Sequence, residues 1–257
     1  MNIHFTDKQL FNELKNATIA KVVVGSHLYG TNNENSDTDV LHIYATSQQE
    51  LNTVFTTNHQ LQYKENNTDY LFVSLHSFIK NILNGDSTIN FEVIQSGQLQ
   101  NTQLQWLNDF KNDFITYTII KSYIGLVKRD LKFFYKAKTQ YQKNKQQEHI
   151  IRGLLYVNNM LYSNWSFSAS NDMLKHKLKH NEFSIEYCKN HCDELRIILN
   201  DKLNNGTLQY AQKFDVDRGI QFNKQLNEFC NSEYFKNKQA NFDINMFINS
   251  YENWVNY

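Results

Sequence analysis

The chain contains no proline. Its turns must therefore be made by Asn, Asp, Ser and Gly, which tolerate tight or left-handed backbone. Glycine is scarce, 8 in 257 residues, so glycines that cluster call for a physical reason. Cysteine is limited to 3, an odd number that argues against a disulfide framework and for a reducing compartment. Net charge is missing too, since 26 basic side chains balance 26 acidic ones. No global field steers such a protein toward nucleic acid. No apolar run approaches the ~20 residues that a membrane-spanning helix needs, and no membrane association is expected. The opening MNIHFTDKQL lacks the cationic start and apolar stretch of a signal peptide. What is plentiful is apolar and aromatic matter, 40% and 14% of residues, enough for a sizeable core. The length suits one domain or two small ones.

The rest of the chain is organised around Lys21–Tyr44, KVVVGSHLYGTNNENSDTDVLHIY. Val22, Val23 and Val24 form a β-branched run that reads as a buried strand. Gly25-Ser26 then makes a turn at which backbone N–H groups can approach a ligand closely. Two acids in alternation follow, Asp37 and Asp39, and Val40–Tyr44 is again strand-like. Residues two apart on a strand face the same side, so these carboxylates project together, roughly 6–7 Å apart along the backbone. They repel unless a cation lies between them. Such oxygen ligands suit Mg²⁺, which takes one or two carboxylates and substrate phosphates. A solvated Asp-Thr-Asp loop is the plainer alternative. Against it, two of the 8 glycines, Gly25 and Gly30, fall within six residues here.

The pattern G-S-x-x-Y-G-T, then S-D-x-D-V and a short strand, resembles the nucleotidyltransferases of the DNA polymerase β superfamily. More narrowly it is similar to a bacterial and phage group of predicted nucleotidyltransferases. The resemblance is specific over Gly25–Tyr44, weaker to about Gln95, and a matter of helical pattern beyond. It implies an α+β fold: a small mixed β-sheet core flanked by helices, followed by a C-terminal helical domain. It also implies that Gly25 and Ser26 hold the nucleotide triphosphate and that the D-x-D pair with a third acid holds two Mg²⁺ ions. Mn²⁺ is the alternative ion and ATP the expected NTP. Asp69 is the preferred third carboxylate, because it opens a strand expected to pair near the D-x-D strand. Glu92 is the competitor, as a base or an orienting group, and would otherwise be an ordinary surface acid. Richness in Asn, Lys, Ile and Tyr points to an AT-rich genome, a phage or a low-GC bacterium, and to a cytoplasmic setting.

Taken in order, Phe5–Asn16 reads as an amphipathic helix capped by Thr6, with Leu10, Phe11 and Leu14 on one face. A helical turn is expected at Ser47–Leu51. Gln60–Lys64 and Thr68–Leu75 read as a hairpin turning at Asn66-Asn67, and Ser77–Asn84 as a helix stopped at Gly85. The chain divides near residue 105, into a 1–105 nucleotidyltransferase part and a 106–257 helical part. Helices are expected at Asp113–Tyr141, Glu148–Asn164, Ile185–Leu203, Asp215–Asn231 and Asp243–Trp254. On the first, Lys121, Lys128, Lys132, Lys136 and Lys143 fall in one stripe, opposite Leu126, Val127, Leu131, Phe133, Phe134 and Ala137.

Between Lys121 and Lys145 stand eight basic residues and one acid, Asp130. A charge run is ordinarily a solvated face. As a functional face this one would bind a triphosphate tail or an RNA backbone, with Lys128, Arg129 and Lys132 foremost. His149 and Arg152, in EHIIRGLL, are weaker candidates supported by the resemblance, as is Tyr29, whose role does not follow from the sequence. Ser26 is not read as a nucleophile, because no G-x-S-x-G elbow surrounds it. Cys188, His191 and Cys192 match no zinc spacing and read as buried apolar residues. The expected activity is Mg²⁺-dependent transfer of a nucleoside monophosphate from an NTP to an acceptor hydroxyl, with release of pyrophosphate. An RNA or tRNA end is favoured as acceptor over a small molecule or a protein. The competing reading is a nucleotide- or RNA-binding module that keeps the fold without turnover. Oligomeric state is not legible.

Overall fold

The computed structural model describes residues 2–4, 6–34, 36–46, 60–162, 164–180, 183–207 and 216–239. The helices expected at Ser47–Leu51 and Asp243–Trp254 lie outside the described residues. The fold is α+β, a small mixed sheet flanked by helices with a large helical portion after it. The chain forms two compact units. One takes in the described residues of Met1–Asn81, Gly97–Asn108 and Gly219–Tyr257, the other those of Ile82–Ser96 and Asp109–Arg218.

The first unit is built on five strands: β1 (Asn2–His4), β2 (Thr18–Val24), β3 (Thr38–Tyr44), β4 (Gln60–Glu65) and β5 (Thr68–Ser74), in the order β1-β4-β5-β3-β2. β3 runs parallel to β5 and antiparallel to β2, and β4 and β5 form the antiparallel hairpin expected from Asn66-Asn67. Asn66 takes positive φ there, a backbone that asparagine tolerates better than most residues. Every residue of β3 from Val40 to Tyr44 is buried, as suits an interior strand covered on both faces.

Helix α1 (Lys8–Asn16) lays Leu10, Phe11 and Leu14 onto Ala17, Tyr44, Leu61 and Phe72. Its cap is Asp7, not the expected Thr6. The Asp7 carboxylate accepts from the backbone N–H groups of Gln9 and Leu10, and a charged acceptor there also complements the helix dipole. The chain returns to this unit late, from Gly219 within α9 (Val216–Asn231) and on through α10 (Glu233–Lys238). Phe222 and Phe229 pack on Trp106, and Lys238 donates to the Asn16 carbonyl.

Helix α3 (Leu75–Leu83) follows β5 directly and reaches the boundary between the units. In the second unit, α4 (Thr88–Gln95) starts at a Ser87 cap. The expected single segment Asp113–Tyr141 is two helices, α5 (Tyr117–Lys136) and α6 (Gln140–Leu161). They separate because Thr139 and Gln142 form a capping box that starts a new helix. α6 thus begins eight residues before the expected Glu148. Gly153 lets the two helices close together, since a Cβ there would lie 2.5 Å from a Val127 methyl. Helix α7 (Phe167–His180) was not anticipated, whereas α8 (Ile185–Asn204) matches its expected span. Phe133 is exposed rather than on the apolar face, and Lys143 belongs to α6 rather than to the α5 stripe. Among the described residues no helix is long and apolar enough to cross a membrane.

Candidate active site

Three elements of the first unit meet at one end of β3. β2 ends at Val24, which pairs with Asp39, and Gly25 begins the turn into the short helix α2 (Ser26–Tyr29). Gly25 has φ 67° and ψ −148°, a conformation that is essentially glycine-only. It also touches the acid motif, because a Cβ at Gly25 would lie 2.3 Å from Asp39 Oδ2. The glycine therefore serves twice, in making the bend and in leaving room for a carboxylate. Tyr29 is buried. His27 keeps its Nε2 buried with no hydrogen-bond partner.

Asp39 and Asp69 occupy matched positions on the parallel strands β3 and β5. Asp37 lies just before β3, in a segment tied to the β4–β5 turn: the Thr38 N–H donates to the Asn67 carbonyl, and Asn67 Nδ2 to the Ser36 carbonyl. As a result Asp37, Asp39 and Asp69 each place a carboxylate oxygen within 4.8 Å of the others. Among the described residues this is the one cluster of three or more potential ligands. Asp37 is the most open of the three.

Asp69 Oδ1 is buried and makes no hydrogen bond, although Lys64 Nζ comes within 3.3 Å of it. The ammonium is close enough to offset charge but is not aligned as a donor. An all-oxygen donor set with one buried oxygen left over fits a hard divalent cation. Lys64 was missed in the sequence. Its position directly opposite Asp69 in the hairpin register is the signal that would have revealed it.

Glu92 is not part of this cluster. It belongs to the other unit, where it is buried at 2% exposure and accepts from the Tyr123 hydroxyl at 2.7 Å. It is therefore not the surface acid otherwise expected. Lys128, Arg129, Lys132, His149 and Arg152 also lie in the second unit. Lys128 pairs with Asp193 at 3.6 Å, and Arg129 donates through Nε to Asp130 at 2.9 Å. Lys132 is exposed on α5.

Asp130, read in the sequence only as the lone acid of a basic run, is buried. Its spacing of seven from Tyr123 and three from Val127 places it on the buried side of α5, which the period could have disclosed. Burial raises its pKa, and the Arg129 hydrogen bond acts in the opposite sense. His149 Nδ1 stands 3.8 Å from Asp130 Oδ2. Burial first, then Arg152, Lys145 and Arg129, push the imidazole pKa down to about 3, so this contact is not an ion pair near neutral pH.

The three cysteines are free thiols, and burial pushes Cys188 and Cys192 up to about 11.

Neither the comparison with curated proteins nor that with solved structures found a match. The comparison with protein families matches residues 7–217 to RlaP, described as the RNA repair pathway DNA polymerase beta family. That span takes in Gly25, the three clustered aspartates and most of the helical portion. With the matched strands, the glycine bend and the carboxylate cluster in place, the chain belongs to the RNA repair pathway DNA polymerase beta family, a group of polymerase β-like nucleotidyltransferases.

Proposed function

We propose that the chain transfers a nucleoside monophosphate from an NTP, ATP by expectation, to a hydroxyl at an RNA end, tRNA included, and releases pyrophosphate. The observation that carries this reading is the convergence of Asp37, Asp39 and Asp69 within 4.8 Å, beside a glycine bend, in a chain of this family. The three carboxylates would hold two divalent ions, Mg²⁺ or alternatively Mn²⁺, which when bound neutralise the triphosphate and acidify the attacking hydroxyl.

The chain's own groups do the positioning. The Gly25–Ser26 turn offers backbone N–H groups and the Ser26 hydroxyl to the β- and γ-phosphates. Asp69 orients the acceptor hydroxyl. The hydroxyl gives up its proton to water as its oxygen attacks the α-phosphorus, the bond to the bridging oxygen breaks, and pyrophosphate leaves with the electron pair. Alignment and charge neutralisation supply most of the acceleration. Lys128, Arg129 and Lys132 are assigned to phosphate binding on their ligand chemistry. In this reading the 1–105 part carries the transfer and the 106–257 part holds the acceptor.

The test is incubation of the full chain with α-labelled NTPs, Mg²⁺ and total RNA, with pyrophosphate release followed in parallel. Labelled RNA from the wild type and none from Asp39→Asn supports the reading. Label found only in protein, or NTP binding without pyrophosphate release, overturns it, the second result in favour of a binding module.

A further inference from the structure

The turn between α5 and α6 is unlike the rest of the surface. Residues 131–147 contain five lysines and no acid. The whole chain balances 26 basic against 26 acidic side chains, so this excess is offset entirely elsewhere. Some lysines elsewhere among the described residues have carboxylate partners, as in Lys64–Asp69, Lys128–Asp193, Lys175–Asp172 and Lys189–Glu186, and others do not. Lys136, Lys138, Lys143 and Lys145 have none among the described residues. Four ammonium groups without a carboxylate partner, on a stretch with no acid, form a local positive field, stronger at low salt.

The same turn exposes aromatic rings. Phe133, Tyr135 and Tyr141 are 48%, 60% and 71% exposed. Single exposed rings are ordinary, but these three fall within nine residues and alternate with the lysines. Lys143 of α6 lies over the ring of Phe134 on α5, 5.9 Å from its centroid, so cations and aromatics from both helices share one tip. Cationic side chains interleaved with open π-faces match a strand of phosphates carrying unpaired bases. A duplex, with its bases stacked inside, would leave the rings unused.

We infer that the α5–α6 tip is a docking surface for single-stranded RNA, with Lys136, Lys138, Lys143 and Lys145 on the phosphates and Tyr135 and Tyr141 stacked on bases. The inference rests on the proposed function for its acceptor class, while its residues are separate from those that hold NTP and metal.

The experiment is fluorescence anisotropy of a labelled 12-nucleotide single-stranded RNA, about that length being several stacking sites, with the full chain. Three variants are compared across a salt series: K136Q/K138Q/K143Q, Y135S/Y141S and Asp39→Asn. The lysine variant is expected to weaken binding at least about tenfold at low salt and to reduce the magnitude of the salt slope by about 2. The tyrosine variant should lose about tenfold or more for single strands, with little change for duplex. Asp39→Asn should bind RNA as the wild type does, so loss of transfer and loss of docking are separable. Thermal melts check that the variants fold. Unchanged affinity in both tip variants overturns the inference. So does equal affinity for duplex, or tighter binding to vesicles of anionic phospholipid than to RNA.

Discussion

Lys64 stands opposite Asp69 on the neighbouring antiparallel strand, with its ammonium nitrogen 3.3 Å from a carboxylate oxygen that makes no hydrogen bond. The lysine is mostly solvent-exposed, so the attraction between the pair is screened and weak. It occupies the charge space that a divalent cation would use. Lys64→Gln is expected to tighten Mg²⁺ or Mn²⁺ binding about two- to fivefold, with little change in stability. Calorimetric titration of the metal into both proteins checks this, and weaker binding by the variant would show that Lys64 supports the site rather than competes for it.

Asp39→Asn should lower transfer at least about a hundredfold while leaving the melting temperature nearly unchanged, because the lost charge acts on a transition state and not on a packed core. A rate within a few-fold of the wild type would remove Asp39 from the chemistry.

Gly25→Ala should harm both folding and function. The methyl group would press into Asp39 Oδ2, and the backbone at φ 67° would be strained at a cost of about 1–3 kcal/mol. The expected readouts are a lower melting temperature and little or no metal binding. A variant that melts and binds like the wild type would mean that the bend relaxes freely.

The two candidates for third acid give opposite outcomes. Asp69→Asn should abolish divalent metal binding. Glu92→Gln should retain it, because Glu92 accepts from Tyr123 inside the helical unit. Tyr123→Phe should cost about 1–3 kcal/mol of stability by leaving that carboxylate short of a partner. Metal lost with Glu92→Gln and kept with Asp69→Asn would reverse the assignment.

His42 is buried on β3 beside the Tyr70 and Phe72 rings and bonds to the Thr18 hydroxyl through Nδ1. Burial, with Lys21 and Lys15 adding, lowers its pKa from 6.5 to about 4. The folded chain therefore keeps the ring neutral where the unfolded chain binds a proton. Stability is full above 6.5 and falls as pH drops toward 4, by up to about 3 kcal/mol. His149 acts in the same sense. His42→Phe should lose less melting temperature between about pH 7 and about pH 5 than the wild type does, and an equal loss would place the sensitivity elsewhere.

The core motif was legible because its cues are local. A β-branched run, a glycine bend, alternating acids and an Asn-Asn turn each dictate backbone over a few residues. The helical portion was less legible for equally physical reasons. The break at Ala137–Thr139 has neither glycine nor proline, and only the Thr139–Gln142 capping box marks it. Asp7 and Thr6 are both competent caps, so the sequence could not rank them. Helix α7 has one buried large apolar side chain, Leu174, too little for a periodic stripe. Asp130 and Phe133 reverse the usual rule, one buried and one exposed, because neighbours on other turns decide their surroundings.

Asp39 and Asp69 share a rung between β3 and β5. A slip of one residue in either strand would swing its aspartate to the opposite side, among side chains that the sheet keeps dry. Such a chain would be both fragile and inert. The specific activity of a refolded sample would then count the molecules whose strands are correctly aligned, and a transfer assay would double as a gauge of folding.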